Sequence, residues 1–481
     1  MRQGRYVRWI SAVALACWLH VIPAVAQVPP IADALASLRA VQRFDEVSLS
    51  PDGKRAVYGN VVTGRRGGAE VDVSALWLVD ARAGSSPVRL TACPGQVCDE
   101  HSANWSPDGT HVAFVTTDTS EQTQVAIAGA DASGVRILTA AHGPLDTPRW
   151  SPDGAHIAFL YSEGAPRTPG PLHPLARAAG VQAATVYEQR LALIPAQGGA
   201  IGVLGPADLN IYEYDWSPDS RRFAVTAAHG SGDDNWWVAE LDLIDVHSGA
   251  VTTLLKPQLQ MASPRWSGDG RRIAYIGGIM SDQGSTGGDV YVVPAAGGAT
   301  VNVTPGLAAS VQTITWNGSS RHIIATEFAA GEQVLADIDA DAKTQRELWR
   351  AAETIWANSL LGRGPGDEGI SLSRNGAVSA VIRQSYTTPP EVQVGPRGLW
   401  QPITHANAAV RPITGKATNI TWKSDGYNVQ GMLIEPPVVV SGRRYPLVVL
   451  VHGGPASAHI PVFPASARSF DAVLASQGYF V

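Results

Sequence analysis

The chain has 481 residues, of which 45% are apolar and 16% charged, with a mean hydropathy near zero. This is globular composition and excludes a disordered or fibrous protein, and the 49 glycines and 33 prolines announce frequent turns. The formal net charge of -6 gives no reason to expect nucleic acid or an anionic membrane as partner, because both select basic patches.

At the N-terminus, Arg2, Arg5 and Arg8 precede a short apolar stretch over 9–22. Ala24-Val25-Ala26 follows. Residues 1–26 therefore read as a secretory signal peptide with an A-x-A cleavage site, and the expected destination is the periplasm or the exterior. A retained anchor is the competing reading, but the stretch is short for a span. Ala14-Leu15-Ala16-Cys17 faintly resembles a lipoprotein processing site. No later apolar run reaches about 20 residues, so no membrane partner is expected after signal removal. Residues 27–43 are expected to form a short helical segment.

Export would leave Cys93 and Cys98 in an oxidising compartment, where a local disulfide across the Pro94-Gly95 turn is favoured. A metal site would need two further ligands at suitable spacing, and none is evident. No cofactor and no metal are expected.

From residue 44 to 409 the chain repeats. A first pattern reads aromatic-Ser-Pro-Asp-Gly-x-x-apolar-Ala-aromatic. It starts at Trp105, Trp150, Trp216 and Trp266, with an earlier copy at Leu49 and weaker ones at Trp316 and Leu372. The Asp position falls at 52, 108, 153, 219, 269, 319 and 375. A second pattern follows each copy: an alternating strand, a Gly-containing turn and another strand, beginning near Leu76, Val125, Leu191, Leu241, Val290, Val334 and Val392. Ser-Pro-Asp-Gly fits a type I turn, with Ser first, Pro fixing φ and Gly fourth. Apolar alternation on both sides makes each pair a β-hairpin. Two hairpins give four strands in about 50 residues. One such sheet cannot bury its own faces, whereas seven arranged radially can. The expected fold is mainly β, a seven-bladed propeller, with the repeated Trp packing between blades. In these motifs the region resembles the TolB-like and prolyl oligopeptidase type of propeller.

The interval from Asp153 to Asp219 is 66 residues, against 45 to 56 for the others. The excess lies in 161–187, which holds Pro166, Pro169, Pro171 and Pro174. It is either a substrate-gating loop or a tolerated surface insertion.

After about residue 409 the repeat stops. Residues 417–437 read as two alternating strands around Ser424-Asp425-Gly426. Residues 447–451 form a continuous apolar run, expected as a strand buried on both faces of a parallel sheet. The run ends in His452-Gly453-Gly454-Pro455. Residues 464–477 read as a helix with Phe470, Val473 and Leu474 on one face, and Tyr479-Phe480-Val481 opens another strand. An apolar strand followed by His-Gly-Gly is the oxyanion-loop signature of α/β-hydrolases.

With the propeller motifs, this segment makes the chain similar to the prolyl oligopeptidase family of serine peptidases, near its acylaminoacyl-peptidase and dipeptidyl-peptidase-like branches. The resemblance spans essentially all of the chain after the signal. It implies a propeller that lids an α/β-hydrolase domain and admits short peptides for Ser-His-Asp acyl transfer. It places the oxyanion loop on His452, Gly453, Gly454 and Pro455, with the N–H of Gly453 or Gly454 as donor. His452 stands where some relatives carry Tyr and is not the triad histidine, which follows the nucleophile in hydrolase chain order.

One departure weighs heavily. No G-x-S-x-G occurs in the 481 residues, so none of the triad is expected here, and 410–481 is expected to be the first part of an incomplete hydrolase domain. The chain as given is then expected to be inactive. Either the sequence is incomplete or interrupted, or a second chain completes the domain. Other candidates are weak. Asp233-Asp234 fits a solvated turn better than a Ca²⁺ site. Residues 362–366 lack the context of a phosphate loop. Glu188 has no Glu neighbour to bind a peptide amino terminus. The alternative function is a periplasmic TolB-like propeller that binds a protein partner and carries a vestigial hydrolase segment. A homo-oligomer is also open.

Overall fold

The computed structural model describes residues 30–66, 69–117, 122–165, 187–230, 232–280, 286–357, 369–454, 458–465 and 469–481. The signal-peptide segment, most of the 161–187 insertion, residues 362–366 and Pro455 lie outside the described residues, as do the side chains of Asp233 and Asp234.

Seven antiparallel sheets follow one another, each built from strands consecutive in sequence. Their first strands are Phe44–Leu49, Asp99–Trp105, Leu145–Trp150, Leu209–Trp216, Gln260–Trp266, Ser310–Trp316 and, for the seventh blade, Thr354–Trp356 with Ser371–Leu372. Both pieces of that last strand pair with Ser379–Gln384. First strands contact one another between blades 1 and 2, 2 and 3, 4 and 5, 5 and 6, and 7 and 1, so they form the inner wall of the ring. Blades 1 and 7 close it without exchanging a strand. Val47 N donates to Ala357 O at 2.7 Å and Leu49 N to Ser371 Oγ at 2.9 Å. Asn407 and Gln42 bond reciprocally, Gln42 N to Asn407 Oδ1 at 2.8 Å and Asn407 Nδ2 to Gln42 O at 2.9 Å.

The repeated turn is held by its own side chains. Ser50, Ser106, Ser151, Ser217 and Ser267 each donate Oγ–H to the Asp two residues on, at 2.6 to 2.7 Å. The Asp oxygen also accepts the N–H two residues further on, as Asp52 does from Lys54 at 3.0 Å. Gly53 N closes the turn on Ser50 O at 2.8 Å, and its φ of +72° explains why Gly stands fourth. Ser220 takes that place in blade 4 at φ +60°, and its hydroxyl accepts the N–H of Asp153 from blade 3 at 3.1 Å.

The repeated Trp tie blade to blade. Trp105, Trp216 and Trp316 donate Nε1–H to Ser48, Arg149 and Arg265 carbonyls of the preceding blade at 3.0, 3.2 and 3.0 Å. The residue that leaves the preceding turn covers the ring: Arg55 on Trp105, Arg222 on Trp266 and Arg272 on Trp316, at 5.5, 5.1 and 5.3 Å. Most apolar clusters accordingly span two blades, as Val57, Leu76 and Leu90 do with Val112 and Phe114, and one runs through blades 4 to 6.

Beyond the ring, Ala417–Ser424 and Tyr427–Ile434 form a hairpin whose loop is Asp425-Gly426, at φ +48° and +86°, the type I′ geometry that suits strand twist. Ile434 and Val481 exchange both backbone hydrogen bonds, at 2.7 and 3.0 Å. On its other side the chain end bridges in parallel: Phe480 N donates to Pro446 O and Val448 N to Phe480 O, both at 2.9 Å. The strand order is thus 417–424, 427–434, 480–481, 446–448. The helix Phe470–Ser476 connects the two parallel segments, a strand–helix–strand unit. Helix Ile31–Arg39 packs against it.

Three expectations for this region change. The helix covers Phe470–Ser476 rather than 464–477. It buries Ala472, Ala475 and Ser476, while Phe470 points outward. The 447–451 run is not buried on both faces. It makes one bridge, at Leu447, and Val451 is 88% exposed. The reason is that Phe480 pairs with it on one side only, and no described residue pairs with the other.

Candidate functional site: the His-Gly-Gly segment at the propeller face

The parallel pairing of Pro446–Val448 with Phe480 fixes the direction in which the chain runs into His452, Gly453 and Gly454. All three are exposed. The His452 ring nitrogen Nδ1 lies 2.8 Å from Gly453 O, so the imidazole is bonded to the loop itself. A Cβ at Gly453 would meet no atom within 4 Å. Gly454 has φ +141°, which L side chains rarely adopt. Among the described residues neither glycine N–H has a partner, so both can donate to an approaching oxygen. Close by, Leu433, Val439, Val440, Tyr445, Leu447 and Phe480 line a hollow of about 380 Å³.

The stretches on either side of the His-Gly-Gly segment, around 459–463 and at Asn419, are moored to the propeller by contacts that no motif announced. Thr354 Oγ1 donates to Pro461 O, and Phe463 N to Gln384 Oε1, both at 2.9 Å, on blade 7. Tyr386 stacks on His459 at 5.7 Å, and His459 lies 3.8 Å from Asp471. Burial first, then Asp471, pushes the Tyr386 hydroxyl well above its usual range. Asn419 reaches the Ala330 carbonyl of blade 6. Residues 458–465 have no hydrophobic period, and Thr354 and Gln384 sit in ordinary strands, so the sequence held no signal for this contact.

The inner wall carries a Ser-His-Asp grouping. Ser102 Oγ lies 2.9 Å from His101 Nδ1 and donates to Asp146 Oδ1 at 2.8 Å. The hydroxyl bonds the carboxylate directly rather than through the imidazole, which is not a nucleophile–base–orienter relay. Ser102 has φ +58° at a strand bulge, and Thr147 and Ser263 repeat that bulge at +53° and +56°. The carboxylates of Glu46 and Glu213 accept the N–H of Ser102 and Ser263, both at 2.8 Å. Recurrence in several blades marks the device as ring architecture. Burial raises the pKa of Glu213 and of Asp215, opposed by Arg265 in both cases.

Cys93 and Cys98 are bonded to each other, with Cα atoms 6.6 Å apart. Among the described residues no three His, Cys, Asp or Glu group as a metal site. Glu188 is half-buried at the edge of blade 3.

This ring, followed by a strand–helix–strand segment docked on blades 6 and 7, recurs in solved structures. Acylaminoacyl peptidase from Pyrococcus horikoshii superposes with a TM-score of 0.67 over 92% of this chain and 65% of its own, at 14% identity. The likeness is one of fold: a propeller followed by a strand–helix–strand segment. The propeller domain of the trilobed protease from Pyrococcus furiosus, described as having an open velcro topology, matches 76% of this chain and 97% of its own at a TM-score of 0.52 and 12% identity. At the sequence level, dipeptidyl-peptidase 5 of Porphyromonas gingivalis is 24% identical over 279 residues, 56% of this chain. The chain spans 38% of that relative's length. No family model matches the chain.

Proposed function

We propose that this chain supplies the propeller and the oxyanion segment of an exported serine peptidase that cleaves short peptides. The observation that carries this reading is the placement of Gly453 and Gly454. Their N–H groups, unpartnered among the described residues, follow a parallel segment, and the stretch 461–463 beyond them is docked on the propeller face. A bare binding propeller needs no such strand. In this reading one glycine N–H stabilises the oxyanion of the tetrahedral intermediate, and His452 holds the loop through the Gly453 carbonyl. Acyl transfer further requires a serine, a histidine and an acid. With no G-x-S-x-G in these residues, the three come from outside them, and the 481 residues alone hydrolyse nothing by this route. The names of the relatives support peptides as the substrate class. No cofactor is part of the reaction.

The experiment is to treat the protein purified from its native host with a fluorophosphonate and to assay it against short peptides. Serine-specific labelling with peptide cleavage supports the reading. The absence of both, with stable capture of a partner protein, favours a TolB-like binding propeller. That second reading draws on a ring that closes through blades 1 and 7 without the C-terminal segment.

A further inference from the structure

We propose that the Cys93–Cys98 disulfide is a redox-sensitive brace for a hairpin of blade 1 that stands beyond the propeller face on which the C-terminal segment docks. The contacts with that segment fix the face. Thr354 begins a first strand, Gln384 ends a second strand, and Ala330 lies between a second and a third strand. The connections from second to third strands therefore open on this side, and the Ser-Pro-Asp-Gly turns lie on the other.

In blades 2 to 7 those hairpins pair over five to eight positions. In blade 1, Arg55–Arg66 and Ala69–Asp80 pair over twelve. The first strand of that blade runs out at the Phe44–Asn60 pair. Residues 62–65 and 70–73 thus continue as a two-stranded ribbon, about 3.4 Å per residue, without a third strand beside them. Such a ribbon is marginal in water unless one face is covered.

By register Val62 opposes Val73 and Gly64 opposes Val71, so these four share one face. The cover is Val97. Its methyls occupy the space a Cβ on Gly64 would need, with Cγ2 2.8 Å from that position. Val97 sits inside the disulfide loop, next to Cys98, which is 2% exposed. Ser74 N bonds Asp99 Oδ1 at 2.7 Å, just after the loop. Its other end is tied by Ala92 N and Thr91 Oγ1 to Glu100 at 2.7 and 2.8 Å. Those bonds survive reduction, so the segment 94–97, with the Val97 cover, is what reduction frees. The opposite face is held by Thr63 on Asp72 at 2.7 Å and by Arg43 on Asp72, which do not depend on the cysteines.

Cys93 is half-exposed, so a dithiol can reach it. One dithiol sulfur attacks Cys93 Sγ, and Cys98 leaves as a thiolate that takes up a proton. The second dithiol sulfur then displaces Cys93, which also ends as a thiol. The dithiol departs as its own disulfide, so two electrons reach the protein. The outcome is a loosened ribbon on the side of the ring where the C-terminal segment docks.

The test is amide hydrogen exchange on the full chain before and after dithiothreitol, and on Gly64→Ala kept oxidised. Reduction is expected to speed exchange about tenfold or more over 62–65 and 70–73, with 55–58 unchanged. Gly64→Ala, which displaces Val97 with the disulfide intact, is expected to do the same. Unchanged exchange on reduction overturns the proposal. So does an increase spread evenly over blades 1 and 2, which would mark a general stabiliser. If Gly64→Ala does not fold, the wild-type protein with and without dithiothreitol still decides.

Discussion

The Arg272 guanidinium lies 5.3 Å from the centre of the Trp316 ring, whose Nε1–H is bonded to Arg265 O at 3.0 Å. One tryptophan of blade 6 is thereby held by two residues of blade 5, through its face and through its edge. The Trp266 ring is covered by Arg222 in the same way, but its buried Nε1 has no partner. The two positions should therefore respond differently to one substitution. Trp316→Phe loses a hydrogen bond and is expected to cost about 1 kcal/mol more than Trp266→Phe, which removes an unsatisfied donor. Urea midpoints of the two variants check this.

Asp108 is held down to a pKa of about 2, first by the Ser106 hydroxyl and then by the Thr110 N–H and hydroxyl. A depressed carboxylate contributes stability above its unfolded value and loses it as pH falls through the folded one. Asp108→Asn is thus expected to lower stability at pH 7, with the deficit vanishing between pH 3.8 and about 2. Denaturant titrations of both proteins across that range measure it.

Glu327 behaves in the opposite sense. Burial pushes its pKa up to about 7, against a hydrogen bond from Gln345. A raised carboxylate makes the fold less stable as pH rises from 4.5 through about 7. Glu327→Gln keeps an acceptor for Gln345 and is expected to add roughly 2–3 kcal/mol at pH 8 and nothing at pH 4. Equal midpoints at pH 8 would contradict this.

Residues 447–451 present Leu447, Val449 and Val451 as an exposed apolar edge. Such edges recruit other strands. When the 481 residues are made alone, Val449→Lys with Val451→Lys is expected to reduce concentration-dependent light scattering without moving the unfolding midpoint of the ring.

The ring was legible because its signals are local and repeated. Ser50 and Asp52 meet within one turn, and Trp105 recurs at one position in successive blades. The Asp425-Gly426 turn was legible for the same reason, since both residues tolerate positive φ. The site was legible only as a motif, at His452 to Gly454. What moors it was not, because Thr354 and Pro461 are 107 residues apart and neither residue type signals the other. The exposure of 447–451 contradicts a pattern that assumes neighbours on both sides. The outward position of Phe470 has the same root. A helical period identifies a stripe, while the partner surface decides which stripe is buried.

The proposed function requires these residues to supply an oxyanion segment to a serine nucleophile lying outside them. Intact mass of the native protein after fluorophosphonate treatment tests it most directly. The expected product is a species heavier than 50.6 kDa that carries one adduct, on a serine absent from these 481 residues. A product no heavier than this sequence and without an adduct would contradict it.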